Sequence, residues 1–334
     1  MFNEIDALNT LKRKFKSRSE DIFLGIGDDC AAIKTGINKL MLISTDSLIE
    51  EIHFSRSYFK PLEIANKSIA VSISDIASMG GKPRFILSTI GLPKCSKQEL
   101  MDELLDGIKS SCALYGVELI GGNITTSEKL FLDTTVLGEI DEHMVVKRSG
   151  SKPGDLVFVT GTLGDSALGL MLLKSEHHSD LDHDPRSCGD KDLINSHKVP
   201  KARVEIGISL SEKNLASSMI DISDGFLIDL ERITTEQNLG AKIFVGNIPL
   251  SDSYKNLISN FDDDIFKLAL TGGEDYELLF TSPPESRDKL KTMEKLMKFS
   301  ISEIGVITGE KKIELIDNEG NNLNYKNRGY VHLS

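Results

Sequence analysis

The chain has 334 residues, of which 40% are hydrophobic and 27% are charged, and its formal net charge is −12. A chain of this length favours two globular domains, and its composition is that of an ordinary soluble protein. It contains no dense stripe of Lys and Arg and no run of about 18 apolar residues, which excludes a nucleic-acid-binding protein and a membrane span.

The N-terminal half alternates strands with helices. Apolar residues at helical spacing from Phe2 to Phe15 predict an amphipathic first helix. Pro61 predicts the start of a second helix, which carries Asp75 near its end and stops at Gly80. A third helix is predicted at 97–115, and strands are predicted at 40–44 (ending at Asp46), 85–92, 117–120 and 130–139.

The C-terminal half begins after a turn cluster, Lys152–Asp155, which is the best candidate for a domain boundary. Beyond it the pattern predicts a strand at 156–160, a glycine-rich turn at 161–166 and a helix at 167–174. The polar segment from His177 to Asp192 predicts a mobile surface loop. Strand and helix patterns then alternate to the end, so we expect a mixed α/β fold.

The four cysteines, Cys30, Cys95, Cys112 and Cys188, are scattered and include no CxxC pair. This pattern indicates neither a zinc site nor a disulfide framework. It is typical of a reduced compartment, and no charged-then-apolar leader opens the chain, so we expect a cytoplasmic protein.

Seven aspartates stand beside Gly, Ser or Thr in five short segments, most of them after an apolar run. Small neighbours let a backbone approach a ligand closely, and carboxylates without Cys or paired His select hard cations such as Mg²⁺. Several such clusters in one chain predict a multi-metal site that holds a polyphosphate. The segments are Gly25–Asp29, Ser44–Asp46, Ser74–Asp75, Asp221–Gly225 and Gly272–Asp275.

These segments also have simpler interpretations. Gly121–Asn123 fits a tight turn as well as an anion site, and 161–166 favours a helix N-terminus over a phosphate loop. However, Asp75 near a helix C-terminus opposes the helix dipole and needs a cation, and capping of the next helix leaves Asp221 unexplained. No Ser-His-Asp arrangement or nucleophilic cysteine pattern occurs, so we predict neither a covalent nucleophile nor a general base.

Six segments resemble, in order and spacing, those of the thiamine-monophosphate kinases, a family within the superfamily of aminoimidazole ribonucleotide synthetase. The resemblance runs from about Gly25 to about Tyr330. Its segments are Gly-Ile-Gly-Asp-Asp, Ser-Thr-Asp-Ser-Leu followed by His53-Phe54, Val-Ser-Ile-Ser-Asp-Ile-Ala-Ser-Met-Gly, Arg148-Ser-Gly, Asp-Ile-Ser-Asp-Gly and Gly-Gly-Glu-Asp-Tyr-Glu-Leu.

The resemblance implies two domains, residues 1–148 and 149–334. The first would be β-rich, would bind metal and ATP, and would pair with a second copy in a homodimer through a β-barrel. The second would be a layered α/β domain that closes the active site. The implied reaction is ATP-dependent phosphorylation of thiamine monophosphate to thiamine diphosphate, by direct in-line transfer with several Mg²⁺ ions.

The resemblance also assigns roles to single residues, while Asp28 and Asp275 look structural. At the position of Asn123 many relatives carry Asp; Asn keeps a carbonyl oxygen but removes a charge, so we expect a weaker metal ligand. The implied metal positions are Asp29, Ser44, Thr45, Asp46, Asp75, Asn123, Asp221 and Asp224. The implied ATP positions are Gly121, Gly122, Arg148 and Ser223, and the implied substrate positions are His53, Glu274 and Tyr330.

Two alternatives stay open at this point. An enzyme similar to aminoimidazole ribonucleotide synthetase is the nearest, although His53-Phe54 and the Gly-Gly-Glu-Asp-Tyr-Glu-Leu segment argue against it. A non-catalytic nucleotide-binding regulator is the second. A regulator needs no separate substrate pocket beside its metals, and this argues against it.

Overall fold

The computed structural model describes residues 4–15, 19–176, 188–235, 237–262 and 264–331. Its internal contacts divide the chain into two units. The N-terminal unit comprises Ser17–Val145 and Lys198–Ile208, and the C-terminal unit comprises Met1–Lys16, Val146–His197 and Ser209–Ser334. These units are defined by packing alone, so the functional division at residues 148 and 149 stays a prediction.

The first nine elements include the seven helices and strands that the sequence predicts, together with strands at 22–24 and 31–36 that it does not predict. The second helix begins at Pro61, where the Lys60 N–H donates to Glu63 Oε2 at 2.7 Å and closes a capping box. The elements are α1 Glu4–Lys14, β1 Ile22–Leu24, β2 Ala31–Gly36, β3 Lys39–Ile49, α2 Pro61–Ser78, β4 Lys82–Pro93, α3 Gln98–Tyr115, β5 Glu118–Ser127 and β6 Phe131–Asp141.

The N-terminal unit contains a six-stranded sheet in the order β1-β2-β3-β6-β4-β5. The pairs in it are antiparallel except β4–β5, which is parallel and leaves β5 at one edge. Helix α2 packs on β3 and β6 and against α3, and it buries Ile64, Ile69, Ile73 and Ile76 completely. This apolar face holds α2, and with it Asp75, in a defined position over the sheet.

Two predicted strand ends are wrong. Asp46 lies inside β3, which continues to Ile49, and Gly121–Asn123 lie inside β5, which continues to Ser127. The reason is that β6 pairs with β3 along its whole length, and β4 pairs with β5 as far as Ser127. Ladder hydrogen bonds come from the backbone, so a strand can extend beyond the apolar run that reveals it in the sequence.

The C-terminal unit contains a seven-stranded sheet in the order β13-β12-β9-β11-β7-β10-β8. In its core, apolar side chains of β7, β8, β9 and β10 pack against apolar side chains of α7 and neighbouring helices. The further elements are β7 Leu156–Thr160, α4 Asp165–Glu176, α5 Cys188–Lys198, α6 Val204–Glu212, β8 Ser218–Asp221, α7 Phe226–Thr235, β9 Gly240–Phe244, α8 Asp252–Leu257, α9 Lys267–Thr271, β10 Leu278–Ser282, α10 Arg287–Met297, β11 Ile301–Thr308, β12 Ile313–Ile316 and β13 Asn322–Leu323.

Two predictions meet the limits of the described residues. Phe2 lies outside them, and so do residues 177–187 of the predicted polar loop. The end of that loop prediction is wrong, because residues 188–192 form the first part of α5. In the part of the chain that the structure describes, no helix combines the length and the apolar character that crossing a membrane requires.

Candidate active site

Two aspartates meet in the N-terminal unit although they are far apart in the sequence. Asp29 lies in the turn between β1 and β2 and is 8% exposed, and Asp75 lies in the last turn of α2. A carboxylate oxygen of each lies within 4.8 Å of the other. Two negative charges at this distance repel by roughly 3 kcal/mol in an effective dielectric of about 20. A cation between them would remove this repulsion.

The donor atoms around this pair fit a hard divalent cation. The hydroxyl of Ser44 on β3 donates a hydrogen bond to Asp75 Oδ2, so three oxygen-bearing side chains converge here. Mg²⁺ takes oxygen ligands at about 2.1 Å, and two ligands on one ion therefore stand up to about 4.2 Å apart. Small side-chain rotations would bring the two carboxylates to that separation.

The remaining predicted residues of β3 lie on opposite sides of the strand. Side chains alternate along a strand, so Ser44 and Asp46 share one face and Thr45 has the other. The Thr45 hydroxyl accepts a hydrogen bond from Thr135 of the paired strand at 3.1 Å. Its side chain is therefore directed away from the face that carries Ser44 and Asp46.

Gly121, Gly122 and Asn123 form an exposed stretch of the edge strand β5. At Gly122 the backbone has φ +153, and a Cβ built there would meet the backbone oxygen of Ser88 at 1.9 Å. Only glycine allows β5 to approach β4 this closely. Gly122 is thus required by strand packing, whatever ligand the strand holds.

His53 is held by the loop that follows β3. Its Nδ1 accepts the N–H of Ile49 at 3.1 Å, so the neutral ring carries its proton on Nε2. Its carbonyl accepts a hydrogen bond from Nζ of Lys67, a completely buried residue of α2, at 3.3 Å. These two contacts define the position of the ring and make Nε2 a donor.

In the C-terminal unit three of the predicted residues, Asp221, Ser223 and Asp224, lie on one segment, 221–225, between β8 and α7. Asp221 ends β8, is 2% exposed and pairs with Leu278 of β10. The three backbone N–H groups of residues 223, 224 and 225 all donate to Oδ2 of Asp229, at 3.1, 3.2 and 3.2 Å. One side chain in the first turn of α7 thus determines the course of the loop.

Arg232 connects Asp229 to Asp224. Its NH1 donates to Asp229 Oδ1 at 2.6 Å and its NH2 donates to Asp224 Oδ2 at 2.5 Å. Burial raises the pKa of Asp229 to about 7, and the positive charges of Arg232 and Arg148 oppose this increase. Arg148 therefore lies close enough to Asp229 for its positive charge to act on that carboxylate.

Two further segments are hydrogen-bonded to the same loop. The backbone N–H of Glu274 donates to the backbone carbonyl of Ser223 at 2.7 Å. The backbone N–H of Tyr330 donates to the backbone carbonyl of Asp224 at 2.9 Å. The structure therefore brings Ser223, Asp224, Glu274 and Tyr330 together within this unit. Tyr330 is 52% exposed, so its ring is accessible to a ligand.

The Glu274 carboxylate contacts a histidine that the sequence did not single out. Oε2 of Glu274 lies 3.1 Å from Nδ1 of His197, which is 2% exposed. The backbone of Glu274 has φ +67, which is unusual for a residue with a side chain. The hydrogen bond to Ser223 holds the backbone of Glu274, and the contact with His197 holds its carboxylate.

The glycine-rich turn 161–166 forms a helix N-terminus, as the sequence favours. Asp275 accepts the N–H of Gly164 at 2.9 Å and that of Ser166 at 3.4 Å, and so caps α4 from outside the helix. Burial raises the pKa of Asp275 well above its usual range. Asp28 likewise has a local contact, accepting the N–H of Asp29 at 3.0 Å.

Sequence reasoning missed Asp229, Arg232 and His197. A weak signal existed for Asp229, because an acidic residue in the first turn of a helix is a common partner for unpaired N–H groups. Nothing local identifies Arg232 or His197. Arg232 reaches Asp224 only because of the course of the 221–225 loop, and His197 meets Glu274 through the packing of segments that are distant in the sequence.

Family models match both parts of the chain. Residues 27–140 match the model described as AIR synthase related protein, N-terminal domain. Residues 152–318 match the model for the C-terminal domain of the same family.

The chain is similar to curated proteins and to solved structures over nearly its full length. The chain is 36% identical to the thiamine-monophosphate kinase of Buchnera aphidicola subsp. Schizaphis graminum, covering 99% of both. It is 33% identical to that of Aquifex aeolicus, covering 93% of this chain and 95% of the relative. The structure of AaThiL complexed with AMPPCP and TMP superimposes with a TM-score of 0.85 at 30% identity, covering 99% of this chain and 97% of that chain.

Proposed function

Because the chain belongs to the thiamine-monophosphate kinase family of AIR synthase related proteins, we propose that it transfers the γ-phosphoryl group of ATP to thiamine monophosphate. The products are thiamine diphosphate and ADP. The observation in this chain that carries the proposal is the approach of Asp29 and Asp75 within 4.8 Å, with the Ser44 hydroxyl beside them. Such a donor set suits a cation bound to phosphates.

The chemistry needs positioning more than it needs a covalent group. An oxygen of the substrate phosphate attacks the γ-phosphorus of ATP, and the bond from that phosphorus to the β–γ bridging oxygen breaks. The attacking phosphate is already ionised at neutral pH, so no general base is required. Mg²⁺ bound to the aspartates would neutralise charge on the phosphates.

In the N-terminal unit we assign the cation-binding role to Asp29, Asp75 and the face of β3 that carries Ser44 and Asp46. Asn123 would be a weaker oxygen donor. Gly121 and Gly122 would let the nucleotide approach the exposed backbone of β5. His53 would donate from Nε2 to the substrate. The fixed Nδ1 contact with Ile49 supports this direction of donation.

In the C-terminal unit we assign cation binding to Asp221 and Asp224 and phosphate binding to Arg148 and Ser223. Glu274 and Tyr330 would contact the thiamine part of the substrate. The thiazolium ring is cationic, and a carboxylate with an aromatic ring is a suitable environment for a cation. The hydrogen bonds that join Glu274 and Tyr330 to the 221–225 loop support this grouping.

The test of the reaction is direct. Purified protein is incubated with ATP, Mg²⁺ and thiamine monophosphate, and thiamine diphosphate is followed by chromatography, with thiamine as the control acceptor. Formation of the diphosphate from the monophosphate alone is the expected result. ATP binding without turnover would instead favour a nucleotide-binding regulator.

A homodimer is part of the proposal and rests on β5. This edge strand exposes Ile120 and Ile124 by 55% and 62%, and apolar side chains on an unpaired edge favour pairing with another chain. We therefore expect the wild-type protein to have the mass of a dimer in light scattering, and the double variant Ile120→Asp/Ile124→Asp that of a monomer. Leu296→Asp, at a 76% exposed position of α10, is the matched control and should stay dimeric. A monomeric wild-type protein would contradict the dimer.

A cytoplasmic location belongs to the same proposal. Among the described side chains Cys30, Cys95 and Cys112 form no disulfide, which suits a reducing compartment. Fractionation of cells that produce the chain would check it.

A further inference from the structure

The Asp229–Arg232 pair has no role in the reaction described so far, yet it makes an unusually complete set of contacts. Asp229 is entirely buried. Its Oδ2 accepts the three N–H groups of residues 223–225, and its Oδ1 accepts NH1 of Arg232. Both carboxylate oxygens are therefore engaged within the 221–225 loop and the first two turns of α7.

Stability alone is a weak reason for such a pair. Taking a carboxylate out of water is costly, and well-packed apolar residues of similar volume often stabilise a protein as much or more. The pair does something that apolar residues cannot do. It gives three consecutive backbone N–H groups one common acceptor, and so restricts the loop to one conformation.

The second contact of Arg232 extends this restriction to a side chain. NH2 of Arg232 engages Oδ2 of Asp224, so a cation that binds at Oδ1 does not compete with the guanidinium for the same oxygen. A guanidinium is planar and presents its donors in a fixed fork, so a guanidinium that is itself held restricts the rotation of a carboxylate bonded to it. Asp229 holds the other terminal nitrogen, NH1, of the same guanidinium.

We propose that Asp229 and Arg232 are positioning residues, which hold the 221–225 loop and present one oxygen of Asp224 to a divalent cation. The inference rests on the proposed function, because it takes Asp224 as a cation ligand. It adds two residues and a division of labour. Asp224 binds, Arg232 orients Asp224, and Asp229 orients Arg232 and the loop backbone.

Charge and position predict opposite results for one substitution. Arg232→Met removes a positive charge beside Asp224, so charge alone predicts tighter binding of a cation. Positioning predicts weaker binding, because the Asp224 carboxylate can then rotate. Mn²⁺ alone is the probe, and the free ion is measured by electron paramagnetic resonance during titration of the full chain.

We expect Arg232→Met to weaken Mn²⁺ binding at least fivefold and Arg232→Lys to recover part of the loss. Asp229→Asn should weaken binding similarly, because it frees the guanidinium to cover Asp224. Arg287→Met is the matched control, since Arg287 forms a two-pronged ion pair with Glu303 at 2.7 Å on the exposed surface of the same unit. Its Mn²⁺ affinity should equal that of the wild type.

The kinetic readout separates positioning from a general loss of structure. In Arg232→Met the Mg²⁺ concentration for half-maximal rate should rise at least fivefold, while the KM for thiamine monophosphate changes less than twofold. Tighter or unchanged Mn²⁺ binding in Arg232→Met would overturn the inference. So would equal losses in Mn²⁺ binding, KM and melting temperature, because they indicate a structural role alone.

Failure of the proposed function would look different. The wild-type protein would then form no thiamine diphosphate, and the Mn²⁺ titrations would still decide whether Arg232 positions Asp224.

Discussion

The two groups of aspartates are built in contrasting ways. In the N-terminal unit the carboxylates of Asp29 and Asp75 face each other within 4.8 Å, and Asp75 receives a neutral hydroxyl from Ser44. In the C-terminal unit a guanidinium joins Asp224 to Asp229, and Asp229 receives three backbone N–H groups. One group keeps like charges close together, and the other compensates them with the protein's own donors.

The contrast indicates how each group serves the proposed reaction. Opposed carboxylates lose free energy by standing together and gain it when a cation binds between them, so they are suited to binding. A buried carboxylate whose two oxygens both accept hydrogen bonds from the protein is suited to holding a loop. Removal of Asp75 should therefore affect activity more than stability, and removal of Asp229 should have a large effect on stability.

The largest effect should follow from loss of a carboxylate in the N-terminal group. We expect Asp75→Ala to lower kcat by roughly a thousandfold, because charge on the reacting phosphates is no longer neutralised. The free energy of unfolding should change by less than about 1 kcal/mol, since repulsion of Asp29 is relieved. Steady-state kinetics and chemical denaturation measure the two quantities.

The control for this variant is Asp252→Ala, at a side chain that is 98% exposed on α8 of the other unit. It should leave both quantities near the wild-type values. If Asp75→Ala turned over at the wild-type rate, the assignment of Asp75 as a cation ligand would be wrong.

The second effect tests the opposite side of the comparison. Asp229→Ala leaves three N–H groups and a guanidinium without their buried acceptor, so we expect a loss of about 3 kcal/mol in the free energy of unfolding. Asp288→Ala, at an exposed position in the first turn of α10, should cost much less. If Asp229→Ala were as stable as the wild type, the contrast between the two groups would fail.

The third effect concerns close backbone packing in the N-terminal unit. Gly122→Ala places a methyl group 1.9 Å from the Ser88 oxygen at φ +153, and we expect a loss of about 2 kcal/mol or more. Gly36→Ala in β2 is the matched control, because a Cβ there meets nothing within 4 Å. Equal melting temperatures for the two variants would show that β5 can move away from β4 without cost.

The smallest effect is a change in pH dependence. Burial raises the pKa of Asp275 in the folded state above its value in the unfolded chain. The folded state therefore holds this proton more tightly, and stability falls as pH rises from about 4 through the raised pKa. Asp275→Asn should remove this contribution to the slope. Unfolding curves from pH 4 to 8 compare the two slopes, and identical slopes would contradict the burial of an ionising Asp275.

The sequence by itself determined the mixed α/β class, the helix that begins at Pro61, the strand 156–160 and the segments that carry the aspartates. These depend on local periodicity and on turn residues, which neighbours in the chain express directly. It also indicated the thiamine-monophosphate kinase family, because six short segments keep their order. It could not place Asp46 or Gly121–Asn123 inside strands, since strand length depends on the partner strand.

Only the tertiary structure decided which of these residues meet within each unit. The approach of Asp29 to Asp75, the hydrogen bond from Glu274 to Ser223 and the contact of Glu274 with His197 all join segments from different parts of the chain. Within the segment 221–232 the structure also decided which oxygen of Asp224 Arg232 engages. Packing of the folded chain sets these distances and directions, and no local pattern in the sequence records them.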